Sequence, residues 1–257
     1  MIDYIAGNTT RYHSVPDSST FTLPNADWCI LSVAHPRSTN LEYLISTGTF
    51  LSANSLNAYV DITGNWTTTY NTTGETVGAS GFSLTDPSIF YVRRLNNTLV
   101  PGFVAVGSSI LNTNNTTAIG GSTSNGSVFY IGSRIDLSTT RMWTGRRSHV
   151  VLVKAAVPDE DIKDLAQGKP LYSFPWASQI VFHDPGETAG LSSYTDLTGQ
   201  HIITRNGTSY GSDTHPDGFN LYPRRDADRF LPMFEAAVGG GFQAAWAYRA
   251  NTLIGGL

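Results

Sequence analysis

Residues 129–171 read FYIGSRIDLSTTRMWTGRRSHVVLVKAAVPDEDIKDLAQGKPL, and this stretch decides the fold class. A short apolar run, Phe129, Tyr130 and Ile131, stops at Gly132. A polar segment follows, then a valine-rich run over residues 148–156. Branched and aromatic side chains crowd a helix but pack well on a pleated sheet, so both runs predict strands. The one convincing helical signal of the chain comes next. Pro158 suits a first helical position, because its missing N–H would have no partner there anyway. Asp159, Glu160 and Asp161 put negative charge at the positive end of the helix dipole. Ile162 and Leu165 share one face, Gly168 suits the left-handed residue after a helix, and Pro170 forbids continuation. The expected order is strand, loop, strand and one short helix near 158–167.

Working outward, the remaining chain reads as short strands between turns. Towards the N-terminus these fall at 1–6, 12–15, 21–23 and 28–34. The run Trp28-Cys29-Ile30-Leu31-Ser32-Val33-Ala34 is nearly continuous in apolar character, as expected of a strand buried on both faces. Further strands are predicted at 41–47, 58–63, 82–84, 89–96, 100–108 and 127–131. The Thr/Asn/Gly segments 64–74 and 112–125 read as loops. Past the helix, 177–183 and 202–204 read as strands, with turns at 195–199 and 206–207 and a closing turn at His215-Pro216-Asp217-Gly218. No helical period is sustained over residues 1–150. Many short strands with close turn signals predict an all-β, antiparallel two-sheet sandwich.

Composition narrows the function classes. Of 257 residues only 14% are charged, and the net charge is −4. Basic residues cluster only in pairs, Arg93-Arg94, Arg146-Arg147 and Arg224-Arg225, expected to be solvated or interface charges. Neither nucleic acid nor a membrane is an expected partner, since no basic tract and no apolar run of spanning length exist. The single cysteine, Cys29, excludes an internal disulfide and a cysteine metal site and reads as an inert buried thiol. Met1 is followed by polar and charged residues, so no secretory signal peptide is expected, and the N-x-[ST] triplets read as Thr/Asn-rich turns.

Residues Ile131-Gly132, Trp143-Thr144-Gly145, the valine-rich strand, Val157-Pro158-Asp159-Glu160-Asp161-Ile162, Leu165-Ala166 and Gly168 resemble the end of a laminin-G-like, concanavalin A-like jelly-roll domain. Such domains often close with a strand, a short helix of the pattern L-S-D-x-E-I-x-x-L, and a glycine. Near the N-terminus, Val15-Pro16-Asp17-Ser18 and Phe21-Thr22-Leu23 before a Trp-containing strand are similar too. So are Asp196-Leu197-Thr198-Gly199 and His215-Pro216 after the helix. The resemblance implies a jelly roll over residues 1–220. It departs in lacking a clear Trp-x-His-Val strand, and Leu95-Asn96-Asn97-Thr98 stands where an Asn-Gly hairpin is usual. Residues 221–257, rich in Ala and Gly, fall outside the pattern and read as an arm for assembly. Its Phe230, Phe234, Phe242, Trp246, Tyr248, Leu253 and Ile254 are the candidate interface.

With that arm and the Thr/Asn/Gly bias, the chain resembles a tailed-phage virion protein. This implies a non-enzymatic structural component of the particle, a capsid decoration (cement) or tail-associated protein made in the host cytoplasm. It would form a homo-oligomer such as a trimer and dock on the major capsid or a tail protein. A carbohydrate-binding adhesion module for a host-surface glycan is the alternative. There Trp66, Tyr70 and Trp143, placed in loops, would stack on sugar rings.

A glycoside hydrolase is the weakest reading. That chemistry needs two carboxylates flanking the scissile bond, and none of Glu42, Glu75, Glu160, Glu187 and Glu235 has an aspartate two places on. His183-Asp184 suggests part of a hydrolytic triad, yet no G-x-S-x-G turn accompanies it. Asp61, Asp86, Asp136 and Asp196 could offer oxygens to calcium but form no D-x-D-x-D-G loop, and no H-x-H or H-E-x-x-H occurs. No metal and no cofactor is therefore expected.

Overall fold

The computed structural model describes residues 2–3, 12–16, 19–37, 41–48, 55–121, 128–137, 141–186 and 192–207. In chain order the first strands are β1 (Ile2–Asp3), β2 (Tyr12–Val15), β3 (Trp28–His35), β4 (Glu42–Thr47), β5 (Leu56–Val60), β6 (Asn65–Tyr70) and β7 (Thr73–Ser80). Then come β8 (Ser88–Leu95), β9 (Thr98–Ala105), β10 (Thr117–Ala118), β11 (Phe129–Ile131) and β12 (Arg146–Val153). The helix α1 (Asp159–Ala166) precedes β13 (Ile180–Asp184), β14 (Ser193–Thr195) and β15 (Ile202–Asn206).

These strands make two antiparallel sheets, an all-β jelly-roll sandwich with a single α-helix among the described residues. One sheet runs β1-β12-β3-β8-β9-β10, and β13 joins it on β12 beside β1. The other runs β14-β15-β2-β11-β4-β5-β6-β7. Trp28, Ile30 and Ala34 of β3 enter the core between the sheets, with Phe90 of β8, Leu152 of β12 and Phe129 of β11. The alternate residues Cys29, Leu31 and Val33 lie under a second layer, made of Ile162 and Leu165 of α1 with Leu171, Phe174 and Trp176. This double burial explains the near-continuous apolar run at 28–34. Burial also pushes the Cys29 thiol up to about 12, so it stays protonated.

The helix follows its sequence signals with one shift. Pro158 is the extended residue before the helix rather than its first turn. Ile162 and Leu165 are buried. Gly168 takes a φ of +94°, and its N–H donates to the Leu165 carbonyl at 3.0 Å. The Asn96-Asn97 pair serves the role of Asn-Gly. Both residues have positive φ (51° and 60°), the geometry of a two-residue turn whose twist matches the flanking strands β8 and β9.

Several expectations are corrected. Segment 64–74 is not a loop but β6 and the start of β7. Its threonines are β-branched, and this outweighs the polar character that suggested a loop. Residues 19–21 form a 3-10 turn and no strand forms at 82–84. Three of the paired arginines are not solvated. Arg93, Arg94 and Arg147 are 3%, 1% and 0% exposed, because each guanidinium meets fixed acceptors. Arg93 donates to the Val157 carbonyl and Asp159. Arg94 donates to the Gly121 carbonyl, Asn25 and Asn97, and Arg147 pairs with Asp184. The arm at 221–257, with Arg224-Arg225 and all seven of its candidate interface residues, lies outside the described residues.

Two hairpins share one turn. Between β5 and β6 it is Asp61-Ile62-Thr63-Gly64-Asn65, and between β14 and β15 it is Asp196-Leu197-Thr198-Gly199-Gln200. In each, the aspartate carboxylate accepts from the N–H and hydroxyl of the threonine and from the N–H of the fifth residue. The glycine N–H returns to the aspartate carbonyl at 3.0 Å in both. Gly64 and Gly199 have φ of 78° and 75°, which a glycine takes without strain. These bonds hold the Asp61 carboxyl below its ordinary value, although its partial burial alone would raise it.

Candidate functional site

The three aromatics expected to meet sugar are in the core. Trp66, Tyr70 and Trp143 are 1%, 0% and 1% exposed. Once residues 65–70 form a strand, Trp66 and Tyr70 fall four apart on the same, inward face. Trp66 donates to the Tyr91 carbonyl (2.9 Å), and Tyr70 stacks on Trp28 at 5.7 Å. Trp143 meets Phe90 edge-on, and its backbone N–H donates to the Gly132 carbonyl at 2.9 Å. None of the three offers a ring face to solvent. The aspartates considered for calcium are engaged otherwise. Asp61 and Asp196 anchor their own turns, Asp86 accepts from Ser83 and Thr85, and Asp136 pairs with Arg134 and Arg141. Among the described residues no group of three or more His, Cys, Asp or Glu is arranged to hold a metal ion.

A different aromatic pair lies on the outer face of the eight-stranded sheet. Val15 and Phe129 enter the core, so strand alternation turns Tyr12, Ser14 and Tyr130 outward. Register places Ser14 between Tyr130 of β11 and Thr204 of β15, and sets Tyr12 opposite Asn206. The Tyr12 and Tyr130 rings lie 5.7 Å apart, inclined by 53°. Asn206 Nδ2 donates to Ser14 Oγ at 2.9 Å. Tyr12, Ser14, Tyr130 and Asn206 are half-buried, while Thr204 and Ile202 are exposed. Partial burial and then the neighbouring Tyr130 raise the Tyr12 phenol above its ordinary value, so it remains a neutral donor. The result is a shelf with two aromatic bodies, hydroxyls and an amide side by side. An aromatic body with a polar handle suits a partner that is apolar on one side and polar on the other.

Further along that face the polar residues sink. Ser46 Oγ donates to Asn57 Oδ1 (2.7 Å), and Asn57 Nδ2 donates to Thr69 Oγ1 (3.2 Å), a row across β4, β5 and β6 that is fully buried. Tyr43 and Tyr59 stack at 4.6 Å, and the Tyr59 hydroxyl donates to Glu75. Burial first, then Glu75, pushes the Tyr59 phenol upward, so it keeps the proton it donates.

At the other end of this sheet a buried polar latch joins the two sheets. His13 of β2, Arg147 of β12 and Asp184 of β13 are all 0% exposed. Asp184 Oδ2 pairs with Arg147 Nη1 at 2.7 Å and lies 3.5 Å from His13 Nδ1. Its Oδ1 accepts from the Tyr194 hydroxyl (2.7 Å) and the Gly186 N–H (2.8 Å). Arg147 Nη2 donates to His13 Nδ1 at 2.6 Å. A guanidinium has no acceptor, so Nδ1 carries the lone pair and the imidazole is the Nε2–H tautomer. Burial lowers His13 to about 4, the negative charge of Asp184 opposes that depression, and Arg147 adds to it. Burial alone would raise Asp184, but Arg147 first and then His13 and the Gly186 N–H hold it well below the carboxylate range. The sequence flagged His183-Asp184 but not its partners. His13 lies 171 residues away, and no local spacing signals that meeting.

Beside the latch, His183 joins a second chain of rings. Tyr172 OH lies 2.7 Å from His183 Nδ1, and His183 Nε2 lies 2.9 Å from His149 Nδ1. Burial lowers both imidazoles, His149 to about 4 and His183 well below its ordinary value. The His183 N–H donates to Asp196 Oδ2 at 3.1 Å, which fastens the second Asp-x-Thr-Gly turn to β13.

No protein-family model and no curated protein matches the chain. Solved structures do match by shape. A candidate carbohydrate-binding protein from Bacteroides ovatus superposes with a TM-score of 0.57 at 14% identity, over 83% of this chain and 62% of that one. A heptameric SAP-like pentraxin from Limulus polyphemus gives 0.49 at 16% identity, over 65% and 81%. Tailspike protein 2 of an Escherichia coli O157:H7 bacteriophage gives 0.45 at 11% identity, over 60% and 23%. The chain thus spans under two thirds of the Bacteroides protein and under a quarter of the tailspike. The superposition on the Bacteroides protein agrees with the strand order: the fold is a two-sheet jelly-roll sandwich.

Proposed function

We propose that this chain is a non-enzymatic carbohydrate-recognition module that holds a glycan on the shelf of Tyr12 and Tyr130. The observation that carries the reading is the half-buried tyrosine pair beside Ser14 and Asn206 on one outer sheet face. The tyrosine rings supply apolar faces for the C–H side of a pyranose, and the hydroxyls and amide answer its hydroxyl groups. A fold shared with a candidate carbohydrate-binding protein is consistent with this use. Glycan-array binding followed by calorimetry tests it. Tyr130→Ala is expected to weaken the best glycan about tenfold, equivalent to about 1.4 kcal/mol. An array without hits, or wild-type affinity in Tyr130→Ala, overturns it.

The second reading is a virion component that assembles through residues 221–257, with the shelf facing a host surface. Its support is the apolar, Ala/Gly-rich composition of that segment and its aromatics Trp246 and Tyr248. An exposed apolar tail is an aggregation liability unless it docks. Deletion of residues 222–257 is expected to lower oligomer mass in light scattering and leave glycan affinity unchanged. Undiminished assembly of the truncated chain would refute the arm.

A further inference from the structure

Two imidazoles sit within 2.9 Å of each other through His149 Nδ1 and His183 Nε2. Their ring centroids are 5.1 Å apart, inclined by 51°. His183 is 2% exposed, whereas His149 is half-buried. In the far direction His183 Nδ1 meets the Tyr172 hydroxyl at 2.7 Å. If Nδ1 of His183 donates to Tyr172, Nε2 holds a lone pair aimed at His149. This is the arrangement by which a ligating histidine is oriented through its other nitrogen. His149 stands where β12 shifts register against β3, between Arg147 and Val150. Such bulges re-aim side chains and leave the backbone room to adjust.

We propose that His149 and His183 form an open two-imidazole site for a borderline divalent cation such as Zn2+. Imidazole suits Zn2+, Cu2+ and Ni2+, and a tetrahedral centre with Zn–N bonds of 2.0–2.1 Å sets its ligand nitrogens ~3.4 Å apart. The pair therefore opens by about half an ångström to admit the ion. No proton leaves the protein. The N–H on the axis between the rings is replaced by N–H groups on the outer nitrogens, His183 Nδ1 towards Tyr172 and His149 Nε2. Low basicity keeps both rings in the neutral form that binds metal. Among the described residues no third His, Cys, Asp or Glu completes a three-residue group with the pair. The site is independent of the tyrosine shelf and stands or falls separately.

The test uses full-length, tag-free protein stripped with a chelator and titrated with Zn2+. One equivalent is expected to bind, with the 15N resonances of His149 Nδ1 and His183 Nε2 moving and those of His13 and His201 unchanged. His149→Gln, whose amide can still reach His183 Nε2, is expected to weaken Zn2+ at least about tenfold while melting near the parent temperature. Tyr172→Phe, which removes the positioning hydroxyl, is expected to weaken it about 10–100-fold. Absence of binding at millimolar Zn2+, an unchanged affinity in His149→Gln, or shifts confined to other histidines would each overturn the site. The resonance experiment on the unaltered protein decides the matter even if a variant fails to fold.

Discussion

Asp184→Ala is expected to destabilise the protein by about 3–5 kcal/mol, read as a lowered midpoint in urea at neutral pH. The cost comes less from the lost attraction than from what is left behind. Arg147 is 0% exposed, and without Asp184 its buried guanidinium loses the carboxylate it meets at 2.7 Å. The Tyr194 hydroxyl and the Gly186 N–H lose their acceptor as well. Relief through the backbone is blocked, because Gly186 lies so near β12 that even an added Cβ would come within 1.8 Å of the Ser148 carbonyl oxygen. The paired change Asp184→Leu with Arg147→Met removes both charges and is expected to recover most of the loss, since apolar side chains of similar volume often replace a buried ion pair at little cost. A loss below about 1 kcal/mol in Asp184→Ala would mean that water reaches the latch and that the pair is not truly buried.

Acidification is expected to weaken the fold well before the carboxylates titrate. His13 has a folded value of about 4 against an ordinary value of 6.5. Between those limits the unfolded chain binds a proton that the folded chain refuses. Stability therefore falls as pH drops from about 6.5 to about 4, and it is flat above that window. The slope from this one imidazole is about 1.4 kcal/mol per pH unit, or roughly 3 kcal/mol across the window. The structural reason is that Arg147 already donates to Nδ1, the nitrogen that would have to accept the proton. Urea midpoints at pH 7 and pH 4.5 measure the loss. In His13→Gln the difference between the two is expected to shrink by about 2.4 kcal/mol. Equal pH slopes in the parent and in His13→Gln would show that His13 protonates freely in the folded state.

Much of the sandwich was legible in residue pattern. The strand–helix run at 129–171 and the two-sided run at 28–34 carry their burial in their own composition, and Asn96-Asn97 carries its turn. The hairpin of β6 and β7 was hidden because Thr67, Thr68 and Thr69 are polar enough to read as loop, though they are β-branched enough to build a strand. Losing that strand misplaced Trp66 and Tyr70, since an aromatic in a loop and an aromatic on an inward strand face look alike in sequence. The shelf was missed for the converse reason. Tyr12 and Tyr130 belong to strands 118 residues apart that become neighbours only when β11 inserts between β2 and β4. The buried arginines and the latch share that cause: their partners are supplied by distant strands.

The span of the latch has a consequence for how the domain is made. As the chain leaves the ribosome, β2 comes out second, yet its neighbours β11 and β15 begin at residues 129 and 202. Through most of synthesis β2 has no strand to pair with, and both its edges carry open backbone donors and acceptors. The hairpins β4–β5, β5–β6, β6–β7 and β8–β9 can each zip with a neighbour only a few residues away, so the middle of the domain can assemble first. Strand β2 is then the last of these to be enclosed, with Arg147, Asp184 and Tyr194 arriving in that order to cover His13. A nascent chain stalled short of β15 holds the whole aromatic core but not the pieces that seal it.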